Sequence, residues 1–217
     1  MKRELVQTAD GSFTLFVPAL NEHYHSIHGA LQEATHVFIQ HGLDLVLGTN
    51  EIHVLELGLG TCLNAYLTLK WSVEHNRKVV YYGVEPYPVE GDTIAQCLRQ
   101  LGETDEHLIA FFQHLEFGVE NRWEKFFINP VHCTWQSLTN KETVDVVFYD
   151  AFGPRAQEEL WTKENFQIAF KALKKEGILS TYCAKGQVKR DLKAVGFKVE
   201  TMDGPPGKRE MTVARKS

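Results

Sequence analysis

The chain has 217 residues, 43% hydrophobic and 24% charged, enough apolar side chains for a normal core, which excludes a disordered chain. No apolar run approaches the roughly 20 residues of a membrane helix, Met1 to Gln7 holds no signal-peptide core, and the four cysteines show no paired spacing, so reduced thiols and a cytoplasmic location are expected. The net charge of −5 hides an asymmetry, since from Lys171 onward 12 Lys/Arg face 5 Asp/Glu, a pattern that suits either a phosphate footprint or a solvated tail.

Leu5 to Val17 reads as a hairpin whose alternating runs flank Asp10-Gly11, a two-residue turn signal. Glu22 to Gly29 follows with His23, His25 and His28. Without a helical offset or an acidic ligand these are polar loop residues near a site rather than a metal centre, and no metal is expected. Ala30 to Gln40 carries apolar residues at 31, 34, 37 and 38, one face of a helix, and a short turn follows Gly42.

Ile52 to Leu57 is short, apolar and rich in β-branched residues, as a buried central strand requires. It runs into Gly58-Leu59-Gly60-Thr61-Cys62-Leu63-Asn64, where a turn opens a helix continued by Leu63, Leu67 and Trp71. Glycines here let a ligand approach the backbone, and the helix start offers unpaired N–H groups. Val79 to Glu85 is a second buried strand. Its terminal Glu85 lies 27 residues after Gly58, where a carboxylate accepts both ribose hydroxyls of a nucleotide-type cofactor. Asp92 is expected to cap a helix that stops at Gly102.

The aromatics from Phe111 to Phe127 lack one period and read as core packing, with a third strand near Phe126 to Cys133. Val144 to Asp150 is a fourth strand that delivers Asp150 to the ligand edge, before the stiff turn Ala151-Phe152-Gly153-Pro154. Thr162 caps the next helix. Gly177 to Cys183 is a fifth strand, and a helix through Val188, Leu192 and Val195 closes at Gly196. The last two strands, Phe197 to Met202 and Glu210 to Ala214, form an antiparallel pair.

This alternation predicts one α/β domain over 1–217: an N-terminal hairpin and helix over 1–47, and a Rossmann-like core over 48–217. The core is a seven-stranded, mostly parallel sheet whose last strand is antiparallel, the arrangement of class I S-adenosylmethionine-dependent methyltransferases. The dinucleotide fingerprint wants a third glycine where Leu63 stands, so the glycine loop favours S-adenosylmethionine over a nicotinamide cofactor. A non-catalytic nucleotide-binding module is the alternative of another class.

Four stretches resemble the methyltransferase half of the MnmC family, which makes 5-methylaminomethyl-2-thiouridine in tRNA. They are Ala30 to Glu33 with Val37 to Ile39; Glu56 to Asn64; Val144 to Pro154 with Glu159 to Thr162; and Lys189 to Leu192 with Gly196-Phe197 and Gly207 to Met211. The flavin-dependent oxidase domain of many members is not in this sequence, so the stand-alone type is expected. Cys62 stands where the family usually has glycine, and Cys133 to Ser137 lacks the family's acidic residue near adenine, leaving Gln136 or a backbone group for that contact.

The resemblance implies N-methylation of the 5-aminomethyl group of uridine, 2-thiolated or not, at the tRNA wobble position. It implies that Glu56, Gly58, Gly60, Thr61, Asn64, Glu85 and Asp150 hold the donor and that Asp150, Phe152 and Pro154 form the catalytic turn. Tyr182 would stack on the uracil or flank the cation, and Lys185, Lys189, Arg190, Lys208 and Arg209 would bind anticodon-stem phosphates. A methyltransferase acting on a small-molecule or protein amine is the nearest alternative.

Overall fold

The central strand of the chain takes up the place its composition predicts. In a computed structural model describing residues 2–9, 11, 13–24, 29–139 and 141–217, β4 (Glu51–Leu57) lies in the middle of an eight-stranded sheet. Preceding it are β1 (Glu4–Gln7), β2 (Phe13–Val17), β3 (Glu22–His23) and α1 (Ala30–Ala34), which continues as a π-type turn over Thr35–Gln40. After it come α2 (Leu63–Glu74), β5 (Lys78–Val84), α3 (Gly91–Gln100), α4 (Glu106–Gln113), β6 (Asn121–Trp123) and β7 (Phe126–Val131). The remainder is β8 (Val144–Tyr149), α5 (Lys163–Ala172), β9 (Leu173–Thr181), α6 (Gly186–Val195), β10 (Phe197–Asp203) and β11 (Glu210–Lys216).

The sheet order is β10-β11-β9-β8-β4-β5-β7-β6. From β4 the chain first builds outward through β5 and β7, then returns to lay β8 on the other flank of β4. The carboxyl ends of β4 and β8 therefore diverge into loops on opposite sides, which opens a crevice at this switch point. β11 runs antiparallel between β9 and β10. One core cluster lies between one face of the sheet and α1 to α4, the other under α5 and α6.

Several elements depart from the sequence expectation. The sheet has eight strands rather than seven, because Asn121–Trp123 folds back antiparallel on β7; three residues are too few to show a period. The β1–β2 pair aligns Gln7 with Phe13, so five residues rather than two separate the strands, and Asp10 lies outside the described residues. β9 begins at Leu173, four residues before Gly177. The charged Lys174-Lys175-Glu176 run joins the strand at a bulge, where Lys174 pairs with Asp145 at 2.9 Å. Asp92 does not cap α3; Glu90 holds that position, and Asp92 accepts from Gln113 Nε2 at 2.7 Å. Thr162 occupies the N-cap position of α5 without bonding its N–H groups, whereas Asp105 caps α4 through His107 N and Leu108 N.

His25 and His28 of the histidine-rich stretch lie outside the described residues, and His23 packs its ring on Phe16. Among the described residues no group of three metal-ligating side chains comes together, and no helix is long and apolar enough to cross a membrane.

Candidate active site

The crevice at the switch point is a cavity of about 490 Å³. Gly58, Gly60, Glu85, Asp150 and Phe152 line it, together with Leu20, Tyr24, Tyr87, Trp135, Gln136 and Gln157.

The glycines have a more immediate reason than ligand approach. Gly58 has φ +90°, and a Cβ there would stand 2.8 Å from the Asp150 carbonyl oxygen. Where β4 and β8 end side by side, before their loops part, the backbones lie so close that a side chain would push them apart, and they are fastened by Asp150 N donating to Leu57 O at 3.2 Å. Gly60 has φ +52°, and its Cβ would lie 2.9 Å from the Tyr24 ring. Gly58→Ala combines a left-handed backbone with overlap against a carbonyl, so a loss of about 2 kcal/mol in stability is expected. Chemical denaturation measures this, and donor affinity should fall with it. Cys62, the residue before α2, is itself left-handed at φ 64° and buried, which explains why glycine suits this position. Thr61 is buried beside it.

Glu85 sits just beyond β5. Its Oε2 accepts from Gly60 N at 3.0 Å and its Oε1 from Tyr87 N at 2.8 Å. Each oxygen keeps a further lone pair, which suits a pair of hydroxyls. Burial raises its pKa, and the two backbone bonds oppose that rise.

Behind the cavity wall, Asn64 ties two carboxylates together. Its Nδ2 donates to Glu56 Oε1 and to Asp150 Oδ2, both at 2.8 Å. Both amide hydrogens are thereby used, so Asn64 braces the acids and has no donor left for a ligand. Glu56 is wholly buried, and burial followed by the nearby Asp150 charge pushes its pKa up to about 8. The Tyr81 hydroxyl lies beside Glu56 and, with the Asn64 bond, opposes that rise. Burial lifts Asp150 to about 7, against the pull of the Asn64 bond.

The turn after β8 is held from outside. Trp161 Nε1 donates to Phe152 O at 2.8 Å, Gln157 Oε1 accepts from Phe152 N at 3.1 Å, and the Tyr182 hydroxyl donates to Ala151 O at 2.7 Å. Tyr182 is thus a strut of the turn and lies outside the cavity lining, as does the half-buried Pro154.

The five basic residues separate into two groups. Lys208 is ion-paired with the buried Glu33 and stands 3.9 Å over the Tyr182 ring, and Lys189 pairs with Glu210 at 2.8 Å. Lys185, Arg190 and Arg209 are exposed, with Arg190 donating to Gln187 at 2.7 Å.

Tyr24, Leu20, Tyr87 and Gln157 were not signalled as site residues. They come from loops whose position depends on the folded chain, and for Tyr24 the only hint was an aromatic residue within the polar histidine stretch.

An antiparallel strand wedged into a parallel sheet, with a glycine turn and two carboxylates at the switch point, is the architecture of S-adenosylmethionine-dependent methyltransferases. The chain belongs to the S-adenosyl-L-methionine-dependent methyltransferase family whose pattern matches residues 105–217. It is 29% identical over 209 residues to the tRNA 5-methylaminomethyl-2-thiouridine biosynthesis bifunctional protein MnmC of Leptospira interrogans, covering 88% of this chain and 32% of that protein. The chain therefore spans about a third of the length of that relative. The crystal structure of MNMC2 from Aquifex aeolicus superposes with a TM-score of 0.80 at 25% identity, covering 98% of this chain and 70% of that one. Spermidine synthase from Thermotoga maritima shares the fold alone, with a TM-score of 0.59 at 17% identity over 99% of this chain and 69% of that one.

Proposed function

We propose that this protein methylates the 5-aminomethyl group of uridine, 2-thiolated or not, at the wobble position of tRNA. The observation that carries the reading is Asp150: a braced carboxylate on the cavity rim, beside Phe152 and facing the glycine turn. The similarity to tRNA 5-methylaminomethyl-2-thiouridine biosynthesis proteins supports the choice of acceptor.

S-adenosylmethionine supplies a methyl group made electron-poor by its sulfonium sulfur. Glu85 would hold the ribose hydroxyls, with the Gly58–Gly60 backbone along the amino-acid end and Gln136 and Trp135 beside the base. Asp150 would orient the acceptor amine by taking one of its N–H bonds and would stabilise the positive charge that grows on nitrogen. An alkyl amine is mostly protonated near neutral pH, and enclosure in the cavity favours its neutral form. Lifted to about 7, Asp150 is a better match for the proton of that ammonium than an ordinary carboxylate. Phe152 offers a face for the uracil, while Tyr182 and Pro154 keep the turn stiff.

For the RNA, the exposed Lys185, Arg190 and Arg209 would meet phosphates, whereas Lys189 and Lys208 are engaged by Glu210 and Glu33. Phosphate contacts position without reading sequence, so the extruded base carries selectivity. Replacing any one of the three exposed cations with alanine should weaken tRNA binding and reduce the log–log salt slope by about 1. A binding curve flat between low and moderate salt would remove this assignment. The decisive test is incubation of labelled donor with tRNA from cells lacking the gene, followed by nucleoside analysis. Label in 5-methylaminomethyl nucleosides is expected. Label only in free amines or protein would favour the other acceptors, and donor binding without transfer a non-catalytic module. A cytoplasmic site of action is part of the same proposal.

A further inference from the structure

Tyr24, just past β3, belongs to none of the motifs above, yet it is wedged between both halves of the site. Its ring lies against the glycine turn, with Cδ1 and Cε1 at 2.9 and 3.1 Å from where a Cβ of Gly60 would be. The same ring meets Phe152 edge-on, centroids 5.0 Å apart at 80°. Its hydroxyl accepts from Arg3 Nε at 2.9 Å, and Arg3 also donates to Pro88 O at 3.1 Å and to Tyr87 O. Arg3 thereby clamps the N-terminal strand, the Tyr24 ring and the segment after Glu85 to one another. The guanidinium stands at the hydroxyl end, 5.7 Å from the ring centroid, and its charge is met by three oxygens. The ring itself lines the cavity.

In the methyl donor the sulfonium lies between the ribose and the amino-acid chain. With the ribose at Glu85 and the transferred methyl turned toward Asp150, the sulfonium between them lies over the glycine turn, where the Tyr24 ring stands. A cation near an aromatic ring is attracted by the ring quadrupole, and more so where water is excluded. The thioether left after transfer has no such charge.

We infer that Tyr24 contacts the donor and, with Phe152, forms an aromatic wall beside the methylsulfonium that favours the charged donor over the neutral product, S-adenosylhomocysteine. The consequence is directional: the wall holds the reactive methyl in place before transfer and loosens its hold afterwards. The inference concerns the donor alone, so it stands or falls independently of the tRNA assay.

Titration calorimetry of the whole chain with S-adenosylmethionine and, separately, S-adenosylhomocysteine tests it. Tyr24→Leu should weaken donor binding about 10-fold and product binding by less than about 2-fold. Tyr24→Phe keeps the ring, loses the Arg3 bond, and should retain the discrimination. If the leucine variant does not fold, Tyr24→Met fills similar volume without an aromatic face and carries the same expectation. Equal losses for both ligands would reduce Tyr24 to a shape-filling side chain and overturn the inference, as would unchanged affinity for both.

Discussion

Asp150→Ala should bind S-adenosylmethionine within a few-fold of the unaltered protein and lose about 10²–10³-fold in kcat on hypomodified tRNA. The separation of the two effects follows from geometry. Glu85 and the glycine turn are anchored by their own hydrogen bonds, Gly60 N to Glu85 and Gly58 N to Val84 O at 3.0 Å, neither of which involves the Asp150 side chain. What disappears is the braced carboxylate proposed to orient the amine and meet its growing charge. Asp150→Asn preserves size and can still accept from Asn64, so it isolates the loss of charge, and a comparable fall is expected. Asn64→Ala leaves the carboxylate in place but unbraced, and should give a smaller fall in kcat with little change in KM. Calorimetry for the donor and single-turnover kinetics for transfer separate these outcomes. Turnover unchanged in Asp150→Ala would remove this residue from the chemistry.

The parts of the site legible in the sequence are those set by short local pattern. An apolar run that ends in Gly58-Leu59-Gly60 places a turn after a central strand, and the same logic puts Glu85 and Asp150 at the ends of β5 and β8. The uses of these residues were less legible, because they depend on what crosses them. Nothing local to Gly60 announces that Tyr24 lies over it, and nothing near Asn64 announces that its amide spans to Asp150. Lys208 and Lys189 read as phosphate ligands because charge counts do not reveal partners, and Glu33 and Glu210 come from distant elements. The edge strand β6 escaped for the opposite reason: its contacts are local, but its three residues carry too little pattern.

Glu56→Gln should make the donor-free protein more stable above neutral pH by several kcal/mol, on the order of 4. The cause is the wholly buried Glu56 carboxyl, whose pKa rises to about 8 through burial and then through the Asp150 charge. Below the ordinary carboxylate pKa, folded and unfolded chains both hold this proton, and the group has no effect on their balance. As pH rises past it the unfolded chain ionises while the folded chain keeps its proton, so the folded state binds more protons and stability falls with pH. The fall continues until pH reaches about 8, beyond which both states are ionised and the loss stays at its full value. Glutamine does not ionise, and its oxygen accepts from Asn64 Nδ2 as Glu56 Oε1 does. Its amide nitrogen can donate to the Tyr81 hydroxyl that lies beside Glu56. Melting curves of the two proteins should therefore nearly coincide near pH 4, diverge up to about pH 8 and keep a constant gap beyond it. A residual slope should persist in the variant, because Asp150, raised to about 7, titrates in the same direction. Asp150 ionises first and its charge adds to the rise at Glu56, so Asp150→Asn should lower the apparent pKa of Glu56 and end the fall in stability at a lower pH. Parallel melting curves across that range would show that Glu56 ionises freely in the folded state and that its burial costs nothing.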